Sequence, residues 1–247
     1  MESYANILFV DIETVSVQPQ FSMLSDEMQA EWERKARLIK HTGDTLPDPA
    51  NVFTDRAGIY SEFAKIVCIA FGTIYTSDGV RRLRLKAISG DDEKTLLEEF
   101  NKVVTKMAAL HGDVRFCGHN IKEFDIPFNC RRFIINGLTL PPCLMLSGRK
   151  PWEITHIDTM ELWKFGDVKN YTALSLLAAV LGIPSPKGDI DGSMVSTVYW
   201  NEHDLDRISR YCMGDVLTCV RVFLRLKGDT GAPPEPEYAD GPGNALP

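Results

Sequence analysis

Ile7-Leu-Phe-Val-Asp-Ile-Glu-Thr14 is the stretch from which the fold is read. Ile7 to Val10 form a continuous apolar run that stops at Asp11, as expected for a central strand buried on both faces. Asp11 and Glu13 stand two apart on this extended segment, so their side chains leave one face while Ile12 leaves the other. Two carboxylates are thereby paired at a strand end. Taken alone, an Asp-x-Glu is more often a polar strand terminus where it enters a loop.

Outward from this strand, charged residues from Ser25 to Lys40 surround Met28, Trp32, Ala36 and Ile39, a stripe that predicts a helix. Pro47, Pro49 and Asn51 predict a loop. Ile66–Tyr75 and Val80–Ile88 read as strands joined at Ser77-Asp78-Gly79, an Asp-Gly hairpin turn. Ser89–Asp91 leads into a helix through about Leu110, with Leu96, Leu97, Phe100, Val103, Val104 and Met107 on its apolar face. Val114–Cys117 is a short strand that runs into Gly118-His-Asn120. Beyond Pro127 the chain reads as a helix ended by Asn136-Gly137, and Asp158-Thr-Met-Glu161 has the form of a capping box. Ala173–Leu181 and Asp204–Leu226 read as helices, and Ile154–Ile157 as one more strand. The expected architecture is α/β, a five-stranded mixed sheet flanked by helices in a ribonuclease H-like fold. It occupies residues 1–227, and the Gly-, Pro- and acid-rich residues 228–247 form a disordered tail.

The bulk numbers narrow the function. The 247 residues, 44% of them hydrophobic, suffice for one substantial core. Lys and Arg total 27 against 34 Asp and Glu, and the net charge of −7 provides no long-range positive field of the kind a passive nucleic-acid binder uses. A site that collects carboxylates and neutralises them with metal suits such a balance. Cys68, Cys117, Cys130, Cys143, Cys212 and Cys219 include no Cys-x-x-Cys pair and read as core thiols in a reducing compartment. The N-terminus has no basic segment leading into a long apolar one, and Ala173–Ile183 is too short for a bilayer. The expectation is a cytoplasmic protein without membrane contact.

Ile208, Cys212, Cys219, Val222 and Leu226 form one helical stripe, and Asp215 falls near its centre, aimed at the core. A buried carboxylate needs a partner, either a metal or a buried Arg. Tyr211 precedes it by one helical turn, which places the phenol beside the carboxylate or simply in the core. In Gly118-His-Asn-Ile-Lys-Glu-Phe-Asp-Ile-Pro-Phe128, Asp125 could act as a helix N-cap and Asn120 could close the loop. His119 has no second His at a metal-binding spacing and reads as a loop hydrogen-bonder, while Asp158 reads as a helix cap.

Together, Val10-Asp-Ile-Glu-Thr14, Gly118-His-Asn-Ile-Lys-Glu-Phe-Asp125 and Tyr211-Cys-Met-Gly-Asp215 resemble, in the same chain order, the three exonuclease motifs of the proofreading domain of family B DNA polymerases. The resemblance spans about residues 5 to 226, including Glu62-Phe-Ala-Lys-Ile-Val67 and Gly188-Asp-Ile-Asp-Gly-Ser193. It is strongest to the stand-alone bacterial group described as predicted 3′-to-5′ exonucleases related to that domain, in the DEDD superfamily. Tyr211 four residues before Asp215, with Arg210 at the position where the other branch has His, resembles the tyrosine branch.

The resemblance implies two divalent cations, Mg²⁺ or Mn²⁺, held by Asp11, Glu13, Asp125 and Asp215, a ligand set of hard oxygens that suits those ions better than zinc. It implies that Asp11 bridges both cations, that Glu13 and Asp215 complete one site, that Asp125 holds the other through water, and that Tyr211 orients the attacking water. It further implies that the backbone of Thr14 meets the terminal 3′-hydroxyl. Asn120 is a further candidate substrate contact, Phe124 a ring that stacks on a terminal base or a core wedge, and Lys187, in the Pro184-Ser-Pro-Lys-Gly188 loop, a cation near the scissile phosphate or a solvated loop lysine. The expected substrates are 3′ ends of single-stranded nucleic acid, DNA ahead of RNA, with a repair or replication partner left unidentified. An RNA-processing exonuclease and a non-catalytic nucleic-acid-binding protein of the same fold are the alternatives.

Overall fold

Strand β1 (Ile7–Ser16) carries the apolar run through Asp11 and Glu13 to Ser16, so both carboxylates lie within the strand. The computed structural model describes residues 4–40, 47–167, 171–184 and 189–239. Strands β2 (Ala64–Ser77) and β3 (Val80–Ser89) form the expected hairpin, and Asp78 and Gly79 both take positive φ, 52° and 75°, as a two-residue turn between right-twisted strands requires. Strands β4 (Arg115–Gly118), β5 (Ile157–Asp158) and β6 (Glu235–Tyr238) complete the order β5-β4-β1-β2-β3-β6. The β1/β2 and β2/β3 pairs are antiparallel, while β1/β4, β4/β5 and β3/β6 are parallel.

The sheet therefore has six strands where five are expected, and the sixth comes from the segment read as a disordered tail. That reading is corrected for residues 235–238, which pair along β3 from Arg82 to Leu85. Asp229 bonds Arg81 at 2.9 Å, and Glu237 takes bonds from Tyr75 and Arg82. An acidic segment without hydrophobic alternation gives no strand signal of its own. Here the signal is complementarity to a basic edge strand.

Helix α1 (Asp26–Ala36) is capped by Ser25, whose hydroxyl accepts from Met28 N. The expected loop at Pro47–Asn51 is instead the start of α2 (Pro49–Arg56), with Asp48 as N-cap and Pro49 in the first turn, where a missing N–H costs nothing. Trp32, Phe53 and Phe63 join α1 and α2 in a satellite core. Helices α3 (Glu93–His111) and α4 (Asp125–Ile135) cover the sheet face formed by Leu8, Val10 and Ile12. Helices α5 (Thr159–Lys164), α6 (Leu174–Val180) and α7 (Val195–Thr197), which continues into a π-turn over Val198–Glu202, lead to α8 (Leu205–Leu226). α8 packs with Ile7 and Phe9 on the other face. The doubly covered sheet shares the ribonuclease H-like architecture, and no helix among the described residues is long and apolar enough to cross a membrane.

Candidate active site

Alternation along β1 sends Asp11 and Glu13 to the α8 side, the face of Ile7 and Phe9. The register breaks just beyond them: Glu13 pairs with Cys68 but Thr14 with Ile66, and this irregularity turns the strand end. α8 brings up Tyr211, Cys212 and Asp215 from the same side. From the opposite layer, the first turn of α4 brings Asp125, whose Oδ1 accepts from Ile12 N at 3.1 Å. Ligating atoms of Asp11, Glu13 and Cys212 lie within 4.8 Å of one another. The Cys212 thiol donates to Asp11 Oδ2 at 3.3 Å and to Asp11 O at 3.4 Å.

Burial, and then the charges of Glu13, Asp125 and Asp215, hold Asp11 well above the usual carboxylate range. Glu13 is raised by burial, by Cys68 and by the same acidic neighbours. Asp125 is pushed up to about 7, mainly by burial, against the pull of the backbone N–H groups of Asp125 and Ile12. Asp215 is raised by burial and restrained by a hydrogen bond from Tyr211, while the phenol itself is driven well up by burial and by Asp215 and Glu13. These shifts express a shortage of positive charge. Among the described residues, none of the four carboxylates is paired with Lys, Arg or His. A buried Arg partner for Asp215 is thus not found there, and a cluster of hard oxygen donors fits a divalent cation.

The N-cap alternative for Asp125 is corrected: Phe124 occupies that position and Asp125 is the first residue of the helix, its carboxylate spent on β1 instead. Phe124 is half-buried and 5.4 Å from the Phe128 ring. The Thr14 hydroxyl donates to Gly58 O at 2.7 Å. Asn120, with φ 61°, closes the turn after β4 by accepting from Glu123 N and Phe124 N. His119 bonds Thr159 Oγ1 and Thr172 O, as a loop hydrogen-bonder should. Lys187 lies outside the described residues.

Two neighbours of the site escape a sequence reading. Cys212 reads as one more apolar residue of the helical stripe, although its place one residue after Tyr211 and three before Asp215 puts it on the same side. Gly192 lies in the Gly188–Ser193 segment, and a Cβ there would come within 3.9 Å of the Tyr211 hydroxyl. The segment itself is part of the resemblance, but the proximity of Gly192 to Tyr211 has no local signal.

Comparison with known proteins identifies the lineage of this arrangement. Curated proteins give no match. Among solved structures, a family B DNA polymerase from the hyperthermophilic archaeon Pyrobaculum calidifontis is similar with TM-score 0.52 and 14% identity, over 89% of this chain. The chain spans only 24% of that polymerase, so the likeness speaks to the fold alone. Residues 59–241 match the family described as "Predicted 3'-5' exonuclease related to the exonuclease domain of PolB". Asp125, Tyr211 and Asp215 fall inside the match, and Asp11 and Glu13 precede it; β1 joins the two parts through its pairing with β2 and β4. The chain belongs to this family of predicted 3′-to-5′ exonucleases related to the exonuclease domain of PolB.

Proposed function

We propose that the protein is a metal-dependent 3′-to-5′ exonuclease that hydrolyses single-stranded nucleic acid, DNA in preference to RNA, and releases 5′-mononucleotides. The observation that carries this reading is the convergence of Asp11, Glu13, Asp125 and Asp215, from two strand positions and two helices, without a cationic side chain among the described residues to neutralise them. Asp11, Glu13 and Asp215 would hold one Mg²⁺ or Mn²⁺, and Asp125, with Asp11, the other. Bound there, such a cation pair activates water and stabilises the leaving 3′ oxygen. Tyr211, protonated and bonded to Asp215, orients the attacking water.

The backbone of Thr14 would receive the terminal 3′-hydroxyl, Asn120 and Phe124 would contact the terminal nucleotide, and Lys187 would offset charge on the phosphate. Residues 1–227 would form the catalytic unit, with β6 strapped along its edge. Six free cysteines support work in a reducing cytoplasm, where a repair or replication partner would deliver the 3′ end.

The test is a gel of 5′-labelled single-stranded DNA, RNA and duplex with Mn²⁺, Mg²⁺ or chelator. A ladder shortening from the 3′ end of single-stranded DNA, lost in chelator and in Asp11→Ala, is the expected result. A terminal 3′-phosphate should block it, because a dianion among carboxylates meets like charge. Faster turnover of matched RNA would move the reading to an exoribonuclease. Binding without turnover in either metal, or nicking of circular single strands, would refute it.

A further inference from the structure

Asp158 sits buried where β5 passes into α5, and its carboxylate does more than cap a helix. Capping requires only the bond from Met160 N, at 2.9 Å to Oδ1. The same carboxylate also accepts from Asn120 N at 3.0 Å and from Lys122 N at 3.1 Å, both in the loop that follows β4. Asn120 has φ 61°, the left-handed conformation that asparagine enters more readily than most side chains, and the bond from its N–H to Asp158 fixes it there. Successive N–H groups in such a turn form a concave nest for an anion, and Asp158 fills it.

That loop leads directly to Asp125. Asn120 O accepts from Glu123 N and Phe124 N, and Ile121 O accepts from Ile126 N at 2.9 Å, so the nest passes into the first turn of α4. Asp125 then grips β1 through Ile12 N. The strand end that feeds this loop is pressed against β1: a Cβ at Gly118, the last residue of β4, would lie 2.8 Å from Val10 O. The loop's second tether, from His119 to Thr159 Oγ1 at 2.9 Å, reaches the residue next to Asp158. No Lys, Arg or His among the described residues pairs with Asp158, so its negative charge is spent on backbone donors of this loop and of α5.

We propose that Asp158 is a positioning residue, a fifth acidic side chain that holds no metal itself but locks the loop that aims Asp125, so that the cation served by Asp125 depends on it. This rests on the metal site proposed above. The experiment therefore reads metal binding separately from hydrolysis. Mn²⁺ is titrated into the full chain without nucleic acid and free ion is followed by electron paramagnetic resonance, for wild type, Asp158→Asn and Asp158→Ala.

One of two sites should weaken by about tenfold or more, the usual effect of losing a group that orients a metal ligand. Amides of Asn120 and Lys122 should lose protection from hydrogen exchange while those of β1 keep theirs. At limiting Mn²⁺, kcat should fall with KM for an oligonucleotide unchanged, and added Mn²⁺ should restore the rate. Wild type that binds two Mn²⁺ but hydrolyses nothing would sink the exonuclease reading alone, and the binding comparison would still judge Asp158. Folded variants with wild-type Mn²⁺ affinity would overturn the positioning role. Asp158→Asn keeps an acceptor for Met160 and carries the comparison if Asp158→Ala does not fold. Failure of both to fold would make Asp158 a purely structural residue and overturn the proposal, and a wild type that binds no Mn²⁺ would overturn both readings.

Discussion

Tyr211 and Asp215 share one turn of α8, and burial among carboxylates drives the phenol well above its ordinary range. In the metal-free site a phenol so placed keeps its proton at neutral pH, which suits it to donating and orienting better than to acting as a base. Tyr211→Phe should lower kcat by about 100-fold, the scale on which misplacing a reacting group acts. Substrate affinity should stay within about twofold of wild type if the hydroxyl acts, as proposed, on the water and not on the chain being cut. Equal losses in both would assign the ring to packing. His156 illustrates the opposite shift: burial beside Phe116 lowers its pKa, and its Nδ1 accepts from Phe116 N at 3.1 Å while Nε2 meets Cys143 O at 2.9 Å, a neutral ring. The folded state then binds fewer protons than the unfolded one, so stability present above the unfolded pKa of about 6.5 is lost as pH falls below it. His156→Gln removes that titration, and its melting temperature should fall less steeply than that of wild type between pH 7 and 5; parallel slopes would mean that His156 does not contribute. Spacing alone brings Tyr211 next to Asp215. No spacing reveals Cys212 against Asp11 or Asp158 against Asn120, because those partners lie far away in sequence.

Between elements, one buried ion pair links three pieces of the frame around the site. Glu93, first residue of α3, accepts from Ile66 N of β2 at 2.7 Å and from Arg132 of α4, and Asn136 donates to it as well. Arg132 Nη1 also donates to Ser61 O. The pair is 6% and 8% exposed, so solvent screens it little. Glu93→Gln keeps the size but leaves the guanidinium without its counter-charge, and breaking one side of such a pair costs about 3–5 kcal/mol. Chemical denaturation should show the loss as a lower midpoint; a midpoint within error of wild type would show that the pair adds nothing. Elements with a local signature were legible in the sequence: the apolar run of β1, the Asp-Gly hairpin of β2 and β3, the stripes of α3 and α8. α2 hid behind two prolines that mark its start as well as they mark a loop, and β6 behind a composition typical of unfolded tails. Both are stabilised from outside, α2 by Trp32 and Phe63 and β6 by Arg81 and Arg82, with Asp229 supplying the contact just before the strand.

At the scale of the whole molecule, two apolar layers clamp a sheet whose central strand carries two of four mutually repelling carboxylates. The frame holds a charge cluster that would disperse if the chain unfolded, so the metal-free site works against the fold. The sign follows from the raised pKa values. The folded state binds protons more tightly than the unfolded one, so stability present below the ordinary carboxylate range is lost as pH rises through the raised values, that of Asp125 at about 7 among them. In chelator, wild type should therefore lose stability through this window relative to Asp215→Asn, which removes one charge from the crowd and leaves Tyr211 an oxygen to bond. Near pH 8 the metal-free variant should melt at or above the metal-free wild type. Cations that bind only the folded state reverse the order, adding about 2.7 kcal/mol at a hundredfold excess over Kd. Wild type should then rise in Mn²⁺ and the variant should forfeit much of that gain. If Asp215 instead balanced a buried cation, Asp215→Asn would strand that cation and melt clearly lower in chelator, with its Mn²⁺ response intact. The two accounts give shifts of opposite sign in the same pair of melts.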